Sequence, residues 1–526
     1  MSKLTKLLSL LFAFALVAAA CGGDSDDAAE GEEVEAEAGG EEEESGGGVD
    51  DGAVEDALTS TTAEGEEGEE EVEEATSIEE LEAQWAEGRA GVVEALSSGD
   101  FGVGDDNVLR GPGGFEVDLS ECPSDWSDSA GLEDDTIRIG HTTAQSGNLA
   151  AYGNIAAGME AYFDYVNENG GIDGKSIELI VKDDGYVATA TIELVDELIQ
   201  SENPFYITTL GSPNTLATYD TLNDNCIPQP FVMTGHPAWG DPVGHPFTTG
   251  LQMSYSTEAV FWGNWIKSNM ADQLPVKVGG LVMDNDFGLA YEDSFEKWAD
   301  ANPDVVSEFQ AVPHDPAAPT ITNEMTTLAA GDPDVFIAMT AGNPCLLAVQ
   351  EAGNSGLADG ETVLFAPSVC KDPNAYMIPA GETADGWNIV GGGIKATTDP
   401  QYLDDPYIAF ANTEMEARGL DTAVGLYGTG FGQFGWAHVE ALRIAAELDG
   451  GLTRSNLILA LRGMDLVHPV TLDGISFSVN GAEDGYFIEG SEFSVYDAAN
   501  ESWIQEGAAI DLNGSSSNCS WSDEGC

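Results

Sequence analysis

The sequence predicts an α/β protein built as two doubly wound parallel-sheet lobes, preceded by an acidic tether. Three observations carry that expectation. From residue 134 onward, short apolar runs of strand character alternate with longer segments of helical spacing, the pattern of right-handed βαβ units. The rhythm pauses near Met253 and restarts, which gives a second lobe. Residues 22 to about 75 are nearly all Glu, Asp, Gly and Ala. Such a stretch cannot bury enough apolar surface to fold.

At the N-terminus, Lys3 and Lys6 form a short positive head, and Leu7 to Ala20 is apolar apart from Ser9. That is the length of a secretory signal core and too short to span a bilayer comfortably. Residues 1–20 are therefore read as a signal peptide. Ala18-Ala19-Ala20-Cys21 resembles a bacterial lipobox, with Ala18 where Leu is usual. The resemblance implies that Cys21 becomes the first mature residue and carries acyl chains; two or three such chains hold firmly in a bilayer. Residues 21–76 are then a disordered acidic lipoprotein linker.

Ser77 with Glu80 has the spacing of a capping box. Ile78, Leu81, Trp85, Val92, Val93 and Leu96 follow as a helical stripe, which predicts one amphipathic helix over 77–97. A Gly- and Asp-rich connection runs to residue 133. Strands are expected at 136–140, 176–182, 205–209 and 231–233, with helices at 154–169, 187–201 and 213–222 between them. Gly170-Gly171 ends the first helix. In the second lobe a helix over 257–269 leads to strands at 276–283, 304–311, 334–339, 361–365 and 387–390. Helices near 288–300, 319–330 and 343–354 connect them, and others fall at 402–418, 427–448 and 454–462. From about Leu472 the pattern is β-rich.

The chain of 526 residues carries 95 acids against 16 bases, a net charge of -79. Residues 121–526 alone hold 61 acids and 12 bases, so the acidity is not confined to the tether. Such a surface repels phosphate backbones and excludes nucleic acid as a partner. After Cys21, six cysteines remain: Cys122, Cys226, Cys345, Cys370, Cys519 and Cys526. An even number in an exported chain suggests three disulfides, and no C-x-x-C zinc spacing is present. Six cysteines allow 15 pairings, among which sequence does not choose. The pairing expected is Cys345 with Cys370 and Cys519 with Cys526, which leaves Cys122 for Cys226.

The run Ile139 to Gly147, Tyr152-Gly153, Gly158 to Gly174 with its Asn167-Glu168-Asn169-Gly170-Gly171-Ile172-Asp173-Gly174 signature, and Val181-Lys182-Asp183-Asp184 resemble one family closely. It is similar to the type 1 periplasmic binding proteins of the leucine/isoleucine/valine branch, solute receptors of ABC importers. The likeness covers roughly residues 134–500. It implies two lobes joined by a three-crossover hinge. Residues 134–252 and 391–465 then form the N-terminal lobe, 253–390 and 466–512 the C-terminal lobe, and 513–526 a Cys-containing tail.

Open parallel sheets bind ligands beyond the carboxyl ends of their strands, where helix N-termini offer unpaired N–H groups. Ser212 follows the 205–209 strand and can cap the next helix, leaving the Asn214 and Thr215 N–H groups available for a carboxylate. The resemblance implies ligand binding by a serine at this place, by the turn that here holds Gly235 and His236, by the cleft aromatic Tyr152, and by an aromatic that closes over the ligand, here Phe287. It also implies an acid, at the Ser368 position, that pairs a ligand ammonium. Ser368 cannot supply that charge, and an unpaired buried ammonium is costly. An amide, a carboxylate or another polar organic solute is therefore as open as an amino acid.

No H-E-x-x-H or G-x-S-x-G motif is present, and Asp286-Phe287-Gly288 stands without other kinase features. Gly428-Thr429-Gly430-Phe431-Gly432 fits no phosphate-loop spacing and is read as a tight packing site. The expectation is a monomeric, non-enzymatic lipoprotein with no cofactor and no metal. Its partners are a small-molecule ligand, a membrane ABC permease and the lipid bilayer through Cys21. A sensor of the same fold is the alternative reading, and a tethered hydrolase a remote one.

Overall fold

The computed structural model describes residues 47–61, 75–132, 135–521 and 526. The signal segment, Cys21 and most of the acidic tether lie outside the described residues. The part of the tether that is described is ordered. Val49 bridges to Ser516, and helix α1 (Asp51–Thr61) follows. Val49 and Val54 are buried, with Ala53, Ala57 and Leu58 packed on the same core. Asp51 accepts hydrogen bonds from Trp298 Nε1 and Asn264 Nδ2, both at 2.7 Å. A single apolar stripe, pinned by one satisfied carboxylate, thus docks a segment whose composition predicts disorder.

Helix α2 (Ile78–Ser98) has Ser77 as its N-cap, accepting from the Glu80 N–H. Glu80 returns to the Thr76 N–H at 2.7 Å, one residue before the position a capping box requires. The stripe buries Trp85, Val92 and Leu96, and Trp85 meets Tyr407 and Trp436 edge-on. The expected connection over 98–133 contains a small antiparallel sheet of β1 (Gly102–Val103), β2 (Val108–Arg110) and β3 (Glu116–Asp118).

The first lobe holds β4 (Thr136–Thr143), α3 (Gly153–Glu168), β5 (Ser176–Asp183), α4 (Ala188–Glu197), β6 (Tyr206–Thr209), α5 (Ser212–Asp224), β7 (Gln229–Val232) and β8 (Thr248–Gly250). β4 lies between β5 and β6, parallel to both. Backbone bonds from Ile207 N–H to Pro228 and from Met233 N–H to Thr209 carry the sheet on to the parallel pair β7–β8. β6 and β7 are buried along their whole length and β4 at six of its eight residues, as helices on both sides require. β8 was not foreseen: three residues of Thr and Gly carry no strand periodicity.

The chain then crosses into the second lobe. It contains α6 (Tyr255–Asn269), β9 (Val276–Met283), α7 (Asp286–Ala301), β10 (Val306–His314), α8 (Thr322–Ala330), β11 (Val335–Met339), α9 (Asn343–Ser355), β12 (Val363–Ala366) and β13 (Asn388–Val390). Their sheet runs β10-β9-β11-β12-β13, all parallel. A second crossing returns through Gly391–Lys395 to α10 (Pro406–Ala417) and α11 (Gly425–Gly428), which pack on α3, then to α12 (Trp436–Glu447), which reaches β7, and α13 (Arg454–Arg462), which packs on α12.

The helix expected over 427–448 is interrupted by a wide π-type turn at Thr429–Gly435. There α3 comes so close that a Cβ on Gly430 would lie 2.0 Å from the Ile155 carbonyl oxygen, which is what the glycine run is for. After the short pair β14 (Asp465–Leu466) and β15 (Phe477–Ser478), the third crossing delivers β16 (Ser491–Asp497) antiparallel to β13 and β17 (Ser502–Ile510) antiparallel to β16. Disulfides join Cys122–Cys226, Cys345–Cys370 and Cys519–Cys526, the pairing expected.

Candidate functional site

Both sheets present the carboxyl ends of their strands to a cavity of about 140 Å³ between the lobes. From the first lobe, Tyr152 follows β4, Tyr186 follows β5, Leu210 and Gly211 follow β6, and Met233 and Thr234 follow β7. From the second, Phe287 follows β9, Ala341 follows β11, and Ser368, Val369, Lys371 and Asp372 follow β12. Tyr255 and Gln252 come from the first crossing, and Gly391 and Ile394 from the second. The walls touch at the front, where Leu149 and Tyr152 lie against Gly342.

The first-lobe wall is shaped by aromatic rings. The Tyr186 ring lies on Gly211, whose φ of 93° and lack of a Cβ leave the room it needs. Tyr255 sits edge-on to Phe287, ring centroids 5.1 Å apart. Burial raises the phenol pKa of Tyr152 to about 12, and burial likewise holds Tyr186, Tyr255 and Tyr376 high. All four tyrosines stay neutral hydrogen-bonding groups. The Tyr152 phenol adds to the rise in the latter three.

The second-lobe wall is polar and held from behind. Ser368 donates its N–H to Glu258 Oε1 at 2.7 Å and its O–H to Glu258 Oε2 at 2.8 Å. Tyr291 also donates to Oε2, at 2.7 Å. Glu258 is fully buried on α6, and burial pushes its carboxyl up to about 7 against the pull of these donors. Lys371 donates to Glu492, to the Ile394 carbonyl and to the Gly391 carbonyl. Asp372 accepts from Thr398 at 2.6 Å and from the Asn374 N–H at 3.0 Å. Cys345–Cys370 ties the loop bearing Ser368 and Lys371 to the start of α9.

Of the residues singled out in the sequence, Tyr152, Phe287 and Ser368 line the cavity. Ser212 does not cap α5; Gly211 is the N-cap, and Ser212 Oγ lies 2.6 Å from Thr234 Oγ1. Thr234 in turn lies 3.3 Å from the Tyr255 hydroxyl, so Ser212 reaches the cavity only through Thr234. Asn214 turns into the lobe and donates to Asp184 at 2.9 Å and to Thr191 at 2.8 Å. The Thr215 N–H, expected to be open, is taken by the Gly211 carbonyl as the first helical turn closes; its hydroxyl meets Thr209 at 2.8 Å. Gly235 lies behind the wall, its carbonyl accepting from the Tyr255 N–H. His236 packs between Trp239 and Trp521 and accepts from the Ala238 N–H. Burial lowers its pKa to about 3, so it fills the loop as a neutral ring.

Tyr186, Thr234, Tyr255, Lys371 and Tyr376 were not singled out. Tyr186 and Thr234 each stand within three residues of a strand's carboxyl end, and that position alone could have marked them.

The sequence matches the periplasmic binding protein family over residues 136–488, about two thirds of the chain. The chain belongs to that family. A search of curated proteins finds no match. Among solved structures, this binding protein resembles a fatty acid ABC transporter substrate-binding protein from Thermomonospora curvata. The TM-score is 0.60 at 19% identity, over 78% of this chain and 97% of the other. A branched chain amino acid ABC transporter from Thermus thermophilus with bound valine gives 0.63 at 16%, over 72% and 97%. A solute binding protein of an ABC transporter from Rhodopseudomonas palustris BisB5, in complex with 3,4-dihydroxy benzoic acid, gives 0.57 at 19%, over 71% and 97%. The likeness is one of fold. Among the described residues, no helix of the binding protein is long and apolar enough to cross a membrane, and no cluster of His, Cys, Asp and Glu could hold a metal ion.

Proposed function

We propose that this chain is the extracytoplasmic, lipid-anchored receptor of an ABC importer, and that it binds an amino acid or similar small polar organic solute between its lobes. The observation that carries the proposal is the cavity, which takes its walls from both lobes and from two of the three crossings. A solute touching both walls favours the closed form by the free energy of the contacts that the open form lacks. The three similar structures bind a branched-chain amino acid or are named for fatty acids or an aromatic acid, so a carboxylate is the group their ligands have in common. The neutral tyrosine hydroxyls suit such a group. The Cys21 anchor, the monomeric state, the delivery of solute to a permease and the lobe boundaries at 252/253, 390/391 and 465/466 belong to the same proposal.

The test is a thermal-shift and calorimetry screen of amino acids, amides and small carboxylates, with small-angle scattering on any hit. A binder should raise the melting temperature and leave a compact particle. Chemical turnover of the hit would replace the receptor reading with an enzymatic one. Cys21→Ala should move the protein from the membrane to the soluble fraction.

A further inference from the structure

We infer that Glu258 sets the hydrogen-bonding polarity of the cavity wall at Ser368, so that the site selects a solute carrying an N–H or O–H donor at that end. The inference rests on the receptor reading above and names the chemistry of its solute. Ser368 lines the cavity, and a hydroxyl has one proton to give. That proton is committed to Glu258 Oε2, and the Ser368 N–H to Oε1. Only the lone pairs of Ser368 Oγ remain for a guest. A carboxylate, ether or ketone oxygen placed there would face another acceptor, and a buried polar group left unpaired is costly. A donor placed there completes a chain from guest to Ser368 to carboxylate, in which the charge behind strengthens the bond in front.

The cation on the same loop does not offer the opposite polarity. The Lys371 ammonium has three protons and three partners, Glu492 and the carbonyls of Gly391 and Ile394. Phe287 and Ala341 are apolar. Glu258 does not touch the cavity, so it is a positioning residue that acts through Ser368. It also answers the missing acid: once Glu258 is ionised, above about pH 7, the negative charge absent at position 368 is supplied from α6, 110 residues earlier in the chain.

The test compares matched solutes that differ in one donor: 4-hydroxybenzoate with 4-methoxybenzoate, L-leucine with 4-methylpentanoate, and 3-hydroxybutyrate with 3-oxobutyrate. Affinities are measured by calorimetry on the full chain at pH 8.5. In any pair that binds, the donor-bearing member should be at least tenfold tighter. In Glu258→Gln the amide NH2 replaces Oε2 and donates to Ser368 Oγ, which turns the Ser368 O–H toward the guest. The preference should then vanish or reverse, whereas a purely structural lesion would weaken both members alike. Ser368→Ala, a small change at the cavity edge, should abolish the preference without reversing it, and serves if Glu258→Gln does not fold. Equal affinities within a binding pair, or a preference unchanged in both variants, would overturn this inference alone. A wild-type chain that binds no member of any pair, and nothing in the wider screen, would overturn the receptor reading and this inference with it.

Discussion

The Lys371 ammonium and the Glu492 carboxylate form a buried ion pair that clasps the second crossing between the lobes. Lys371 holds the carbonyls of Gly391 and Ile394, while Glu492 accepts from the Gly393 N–H at 3.1 Å. Removing one partner of such a pair strands the other in a dry site. Lys371→Met should cost about 3–5 kcal/mol of folding stability. Lys371→Met with Glu492→Leu should recover much of that loss, because the uncompensated charge is gone. Urea denaturation of both variants checks this; a double variant no more stable than the single one would mean that the pair is not a closed unit.

The Cys345–Cys370 bond fixes the loop that carries Ser368 and Lys371, whereas Cys519–Cys526 lies in the C-terminal tail. Replacing the first pair with serines should lower stability by about 3 kcal/mol, as expected for a loop of this length. It should also weaken solute binding several-fold. Replacing the tail pair should leave affinity within twofold of wild type. Calorimetry on the two double variants separates these outcomes.

Asn214 belongs to the interior of the first lobe, since its amide satisfies Asp184 and Thr191. Asn214→Ala leaves the Asp184 carboxylate one donor short and should cost about 2 kcal/mol in folding with little change in affinity. Tyr186→Phe should do the reverse, lowering affinity while the melting temperature of the empty protein hardly moves.

Glu258 gives the folded state a pH signature. Burial raises its carboxyl to about 7, and the Glu492 charge adds to the same effect; Tyr291 and Ser368 are the donors that face it and pull the other way. Between the group's ordinary value of 4.5 and about 7, the folded chain holds a proton that the unfolded chain has released. Folding stability from this group is therefore greatest at low pH and declines as pH rises through that window. Glu258→Gln lacks the group. Wild type minus Glu258→Gln should fall by about 3 kcal/mol from pH 4.5 to 8, in urea melts at fixed ionic strength. A difference that stays flat with pH would place the Glu258 pKa near its ordinary value.

The lobes were legible because strands such as Val276–Met283 and Val335–Met339 are apolar runs, and helices such as those at Asp286–Ala301 and Asn343–Ser355 begin or end on a cap, a proline or a glycine. The strand at Val276–Met283 and the helix at Arg454–Arg462 fall where the pattern put them. α1 was not legible. Its docking depends on Val54 and on Asp51 meeting Trp298, a partner 247 residues away, while its own composition favours disorder. The site was half legible. Tyr152, Phe287 and Ser368 announce themselves by following a strand, and position after a strand also marked Ser212, Asn214 and Thr215. Whether a side chain at such a place turns outward or inward is decided by distant partners: Thr234 takes Ser212, Asp184 takes Asn214, and Glu258 takes Ser368. Those pairings leave no local periodicity behind.

The carbonyl of Gly47 accepts hydrogen bonds from Ser254, Ser256 and Tyr486, and two of these three residues stand where the chain first passes between the lobes. Whatever pulls on the lead segment therefore pulls at the pivot. A load applied on an axis has almost no lever arm about it, so tension on the leash would do little work on opening or closing. A body pulled at Gly47 would keep the relative position of its two lobes unchanged.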